Sequence, residues 1–170
     1  MQIETSLVVL GLGSNLGDSR RIISEAIEAL RKILTELRAA SLYETEPLYV
    51  TDQGRFINTA VSGYFNESPE KLLNSVHKIE TFFGRNRPKE RRWGERTLDI
   101  DILLFGNLLI KGQDLEIPHP RLKERRFALE PLLELLPEAV EPGTGIPYLG
   151  ICEALPDQGV RRIYSIETIS

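Results

Sequence analysis

A single cysteine, Cys152, excludes an internal disulfide and any zinc site built on cysteine pairs. Nowhere does the chain hold the roughly eighteen consecutive apolar residues that a membrane-crossing helix needs. The opening MQIETSLVVLGLGSN lacks a basic segment followed by an apolar core and a small-residue cleavage site, so no secretory leader is expected. Internal repeats and low-complexity stretches are also missing. Together these absences point to a cytoplasmic protein in a reducing compartment, without a membrane role.

What is present is an ordinary globular composition, 41% apolar and 27% charged, over 170 residues. That length predicts one domain, 1–170, with a single core. The charge is unevenly distributed. From Arg85 to Arg96 six cations face two anions, a local +4, and the chain's net −4 leaves −8 on the remainder. A compact basic segment on an acidic protein suits a localised anion such as a nucleotide phosphate better than a long polyanion.

The hydrophobic pattern predicts a buried strand over 7–12 that enters a glycine-rich turn, GLGSNLG. A helix is expected from about Arg20 to Leu37, with Asp18 or Ser19 as its cap. Strands should follow over 40–43 and 56–65. Ser68-Pro69-Glu70 then opens a second helix that ends near Gly84. Leu98 to Phe105 reads as a strong strand, Gly106-Asn107 as a turn, and 127–136 as a helix that Pro131 should bend or displace. A last strand is expected within 160–166. The order strand, helix, strand, strand, helix, strand predicts an α+β ferredoxin-like sandwich, a mainly antiparallel sheet covered by helices.

On a strand, Asp99 and Asp101 share one face while Leu98, Ile100 and Ile102 share the other. Two such carboxylates can close around one metal or span two, and hard oxygen ligands favour Mg²⁺ over Zn²⁺; alternatively they decorate a solvated face. Leu103 and Phe105 continue the same face and should be buried, so the acids would mark where a core strand reaches a cleft. Arginine supplies five of the six cations in 85–96, and its planar fork matches phosphate oxygens. Trp93 within that loop suits an aromatic or apolar ligand. His119, flanked by Pro118 and Pro120, is either a rigid phosphate donor or a structural hydrogen-bonding residue. GLGSNLG has neither the dinucleotide spacing nor a P-loop lysine, and is read as turn geometry.

GLGSNLGD, LYETEPLYVTDQGRFINTAV, IETFFGRNRPKERRWGERTLDIDILLFG and IPHPRLKERRFALEPLLEL together resemble the 6-hydroxymethyl-7,8-dihydropterin pyrophosphokinase family of folate biosynthesis. The blocks come in family order up to about Leu136. The resemblance implies transfer of the β,γ-diphosphate of ATP to the hydroxymethyl group of a reduced pterin, with release of AMP. It implies that Asp99 and Asp101 hold two Mg²⁺ ions and that Arg85 and Arg96 assist catalysis. Arg85, Arg87, Arg92, Arg96, His119 and Arg125 would contact ATP phosphates, and Glu80 and Ile102 the nucleoside. The pterin would lie between Phe56 and Phe127, its edge read by Asn58 and by groups around Thr45, Glu46 and Leu48, with Trp93 on a closing loop. Phe56 stands where some members carry tyrosine.

The expected partners are therefore ATP and the hydroxymethylpterin, with no nucleic acid, no membrane and no obligatory protein partner. No fused domain is expected, so neighbouring folate steps would fall to other chains. An RNA-binding module is a competing reading, but Asp99 and Asp101 would repel a phosphate backbone where such a sheet needs aromatic residues. A non-catalytic ligand sensor would not need convergent carboxylates.

Overall fold

The structure, a computed structural model, describes residues 4–46, 54–84 and 97–165. Strand β1 is Ser6–Ser14. It sends Val8, Leu10 and Leu12 to one face of the sheet and Val9 to the other. Asp18 accepts from the Arg21 amide at 3.3 Å and starts helix α1, Ser19–Leu30, whose Ile22, Ile23, Ala26, Ile27 and Leu30 are buried.

The expected helix to Leu37 stops early. After a turn the chain enters β2, Thr35–Ala39, which pairs antiparallel with β4, Phe56–Phe65. Leu34 is buried and Ile33 and Leu37 pack against the core, so their three- and four-residue spacing served a turn and a strand as well as it would a helix. Pairing along β4 overrides the local pattern. Strand β3, Ser41–Thr45, pairs with the other half of β4.

Helix α2, Pro69–Phe82, is capped by Ser68 Oγ, which accepts from the Lys71 amide at 3.3 Å, and it gives way at Gly84 with φ +89°. Strand β5 is Asp99–Phe105. The turn at 106–107 leads to β6, Ile110–Lys111, which pairs with β7, Glu116–Ile117, as a separate small ribbon. A 3₁₀ turn at Leu122–Glu124 precedes α3, Arg126–Leu135. Pro131 lies inside α3, which starts at Arg126, so the proline does not displace the start of the helix. Leu129, Leu132 and Leu135 bury the helix, and such burial can outweigh the roughly 3 kcal/mol that an interior proline costs. Helix α4, Tyr148–Ala154, and strand β8, Arg161–Ser165, complete the described chain. Helix α4 lies in a tail rich in Gly and Pro from Glu141 onward, a composition that gives no helix signal.

The sheet order β5-β1-β4-β3-β8, with β2 also on β4, is antiparallel throughout. Counting β2 and β3 as one interrupted strand gives the ferredoxin-like arrangement. Helices α1 and α2 cover one face, with Ile23, Ile27, Leu72 and Val76 against Leu10, Ile100 and Ile102. Helices α3 and α4 cover part of the other, with Leu129, Leu132 and Tyr148 against Val9, Ala60 and Leu103.

One sequence expectation fails in an informative way. Phe105 does not continue the face of Asp99, Asp101 and Leu103. Leu10 pairs with Ile102 but Val9 pairs with Leu104, so β5 holds an extra residue at a bulge. Past it, Phe105 turns to the α1–α2 face and meets Phe65 edge to face at 6.2 Å.

Candidate active site

Four strands place a row of residues across the face that α3 partly covers. Asp99 lies opposite Gly13, Gly13 opposite Asn58, and Asn58 opposite Tyr43. One step along β1, Asp101 lies opposite Gly11 and Gly11 opposite Ala60. A Cβ on Gly13 would come 2.7 Å from Asn58 Oδ1 and 3.8 Å from the Phe56 ring, and one on Gly11 would come 3.3 Å from Leu103. With no side chain of its own at either position, β1 forms the bare floor of a trough between the β5 carboxylates and Asn58, narrowed by Asn58 Oδ1 over Gly13 and by Leu103 over Gly11. Its deeper end is closed by the Leu103, Ala60 and Leu129 packing, while Asp99 and Asp101 are half-buried at the open end. Asn58 is itself buried and donates through Nδ2 to Thr45 Oγ1 at 2.7 Å, which turns Oδ1 toward the trough.

His119 closes one side. Its amide donates to Leu103 O at 3.0 Å, tying it to the free edge of β5. Its Nδ1 accepts from the Arg121 amide at 3.1 Å, so the neutral ring carries its proton on Nε2, which lies 3.8 Å from Asp101 Oδ1. Burial, reinforced by the positive charge of Arg125, pushes the imidazole down to about 4 despite the opposing pull of Asp99. His119 is therefore neutral at physiological pH and donates through Nε2. Arg125, 7% exposed, lies with its guanidinium carbon 5.4 Å from the centre of the Phe127 ring at the head of α3.

The chemistry of this end of the sheet is two carboxylates, a neutral imidazole donor, a buried guanidinium and aromatic rings around a side-chain-free floor. Residues 9–137 match the family described as 7,8-dihydro-6-hydroxymethylpterin-pyrophosphokinase, HPPK. The chain belongs to the HPPK family. It is 38% identical over 141 residues to the 2-amino-4-hydroxy-6-hydroxymethyldihydropteridine pyrophosphokinase of Bacillus subtilis, covering 82% of this chain and 83% of that protein. To the protein of the same name from Pseudomonas aeruginosa it is 40% identical, covering 92% and 96%. The mitochondrial folate synthesis bifunctional protein of Pisum sativum is 41% identical over 85% of this chain, but this match spans only 28% of the pea protein. The chain thus spans about a quarter of the bifunctional relatives it matches. A Plasmodium falciparum HPPK-DHPS structure superposes with TM-score 0.75 at 17% identity, covering 97% of this chain and 50% of that one, and so shares the fold.

Of the residues that the family resemblance singles out, Thr45, Phe56, Asn58, Asp99, Asp101, His119, Arg125 and Phe127 gather around this trough. Glu46 is exposed at its rim and pairs with Arg55 at 2.7 Å. Leu48, Arg85, Arg87, Arg92, Trp93 and Arg96 lie outside the described residues. Glu80 and Ile102 are placed differently from the rest, buried on the α1–α2 side. Glu80 Oε2 accepts from the Ile100 amide at 2.9 Å, so it satisfies the outward edge of β5 between the two aspartates. A groove of about 450 Å³ between α1 and α2, lined by Glu28, Lys32, Lys78 and Phe82 among others, lies across the sheet from the carboxylates and is not part of the site.

Two contributors escaped sequence reasoning. Gly11 and Gly13 belong to β1, not to the turn, where only Gly17 has positive φ, +81°. Their two-residue spacing on a strand was the available signal. Glu134 on α3 accepts from the Ser41 amide and hydroxyl and from Tyr43 Oη at 2.7 Å, fixing the row of which Asn58 is part. Nothing in the local pattern of α3 foretold that contact 93 positions back along the chain.

Proposed function

We infer that this chain transfers the β,γ-diphosphate of ATP to the hydroxymethyl group of 6-hydroxymethyl-7,8-dihydropterin, forming AMP and the pterin diphosphate. The observation that carries the reading is the pair Asp99 and Asp101 at the open end of β5, beside His119 and Arg125 and facing a glycine floor, in a chain of the HPPK family. Residues 1–170 would act as a single catalytic domain, with ATP and the pterin as its partners.

Mg²⁺ fits the donor set. Among the described residues no group of three or more His, Cys, Asp or Glu could hold a metal alone. Mg²⁺ accepts a site of two carboxylates completed by phosphate and water, so Asp99 and Asp101 would be the residues that hold it, as two ions, with ATP. Bound there, Mg²⁺ would neutralise charge that develops on the phosphate oxygens. The chain's own groups position and stabilise. Arg125 places a fixed positive charge in a poorly solvated site, and His119 donates Nε2–H to a phosphate oxygen without needing to be charged. Asn58 Oδ1 accepts from the N–H edge of the pterin while Thr45 holds the amide. Phe56 and Phe127 supply apolar faces for the ring. Arg85, Arg87, Arg92 and Arg96 would grip the phosphates, Glu80 and Ile102 would lie on the nucleoside side, Leu48 and Glu46 at the pterin rim, and Trp93 would exclude water.

No helix among the described residues is long and apolar enough to cross a membrane. A cytoplasmic location is the reading that composition favours, although the pea relative is named as mitochondrial. The test is direct: purified protein with ATP, Mg²⁺ and the reduced hydroxymethylpterin should yield AMP and a pterin diphosphate. ADP as the product would refute diphosphate transfer.

A further inference from the structure

The segment from Leu155 to Arg162 lies beyond the family-matched residues 9–137, yet it touches two separate stretches of chain that border the trough. On one side the Gln158 carboxamide spans Arg125. Its Oε1 accepts from the Arg126 amide at 2.9 Å and its Nε2 donates to Glu124 O at 2.8 Å. Arg126 returns the contact, donating from Nε to Pro156 O and from Nη2 to Leu155 O, both at 2.8 Å. The head of α3, which carries Arg125 and Phe127, is thereby tied to residues 155–158. On the other side, Gly159 has φ +68° and lies so close to Glu46 that a Cβ would come 2.7 Å from Glu46 Cγ. Arg161 then pairs with Glu44 at 2.9 Å, and Glu44 and Glu46 both pair with Arg55, next to Phe56.

We propose that Gln158 and Gly159 are positioning residues for pterin binding: adjacent in sequence, they hold the Arg125–Phe127 segment and the Thr45–Glu46 segment at a fixed separation. The proposal rests on the functional reading above. Neither residue touches the ring; each sets the place of one wall. Gln158 satisfies two backbone groups that α3 and the preceding 3₁₀ turn leave over, and it does so with one planar amide, so movement of the tail moves both walls together. Gly159 admits the close approach because it has no Cβ and tolerates positive φ.

The test compares steady-state constants of Gln158→Leu, Gln158→Glu and Gly159→Ala with wild type at saturating ATP. Gln158→Leu keeps the size and loses both hydrogen bonds, so the pterin KM should rise about tenfold through Phe127, and kcat should fall with it because Arg125 lies on the same released segment. Gln158→Glu retains the acceptor for the Arg126 amide and should recover part of the loss. Gly159→Ala pushes on Glu46 and should raise the pterin KM without lost hydrogen bonds, which keeps the proposal testable if Gln158→Leu fails to fold. A wild-type pterin KM in folded Gln158→Leu or Gly159→Ala overturns it. So does a rise in pterin KM that only tracks thermal stability across the three variants, since that marks a merely structural tail. A wild-type chain that forms no AMP sinks the functional reading; an active wild type with unchanged variants sinks only the positioning role.

Discussion

Gly13→Ala places one methyl group where substrate is expected. The new Cβ would stand 2.7 Å from Asn58 Oδ1, inside the separation that carbon and oxygen tolerate, so Asn58 must move by several tenths of an ångström. Asn58 cannot move freely, being buried and bonded to Thr45 at 2.7 Å. Losing that bond costs about 1 kcal/mol, and up to about 3 if the amide ends unsatisfied. Replacing glycine inside a strand returns about 0.5–1 kcal/mol through the unfolded state. The net is about 0–2.5 kcal/mol, or a fall in melting temperature of no more than about 10 °C for a domain of this size. Pterin recognition should suffer far more, because the acceptor proposed to read the ring edge is displaced and the floor is raised: a loss of about 10- to 100-fold in pterin affinity, with ATP affinity little changed. Calorimetric titration of pterin with a non-hydrolysable ATP analogue present, beside a thermal melt, measures both. Gly11→Ala is the control, because its Cβ meets Leu103 at 3.3 Å and its effect should appear in stability. Wild-type pterin affinity in a folded Gly13→Ala variant would refute the trough as the pterin site.

Asp101→Ala should abolish Mg²⁺-dependent AMP formation while pterin binding persists; unchanged turnover removes the metal assignment. Glu80→Ala orphans the outward Ile100 amide and should cost about 1–3 kcal/mol in denaturant unfolding, with Glu80→Gln milder because it keeps an acceptor. His119 should stay neutral by NMR from pH 8 down to about 5. With its folded value lowered to about 4 from 6.5, stability is complete above the unfolded value and erodes by about 1.4 kcal/mol per pH unit as pH falls between the two; a titration midpoint near 6.5 would count against the buried placement. Burial raises the Glu134 carboxyl, but hydrogen bonds from Tyr43 and Ser41 and the Arg162 charge outweigh it and lower the net value. Its stabilising contribution is thus present above the ordinary carboxylate range and lost as pH falls through the lowered folded value. Thermal melts of Glu134→Gln should accordingly depend less on pH in that acid window than wild type.

The fold class was legible because its signals are local. Ser68-Pro69 caps a helix by backbone chemistry, Asp99 and Asp101 share a face by the two-residue period of a strand, and the family blocks lie in linear order. The end of α1 was misread because Ile33, Leu34 and Leu37 suit a helix face and a turn-plus-strand equally, and only β4 decides between them. Phe105 was misread because a bulge is a property of two paired strands, invisible in either alone.

Sequence by itself determined most of the larger elements, the acid pair and the family, since each depends on patterns along the chain. Tertiary structure decided the rest. It put Gly11 and Gly13 between Asp99, Asp101 and Asn58, where the absence of side chains bares the floor of the trough. It fixed the His119 proton on Nε2 through the Arg121 amide, and it brought Gln158 to Arg126 and Glu134 to Ser41. Those outcomes depend on which strands pair and which helix covers them, and that is settled by burial across the whole chain, not by local residue pattern.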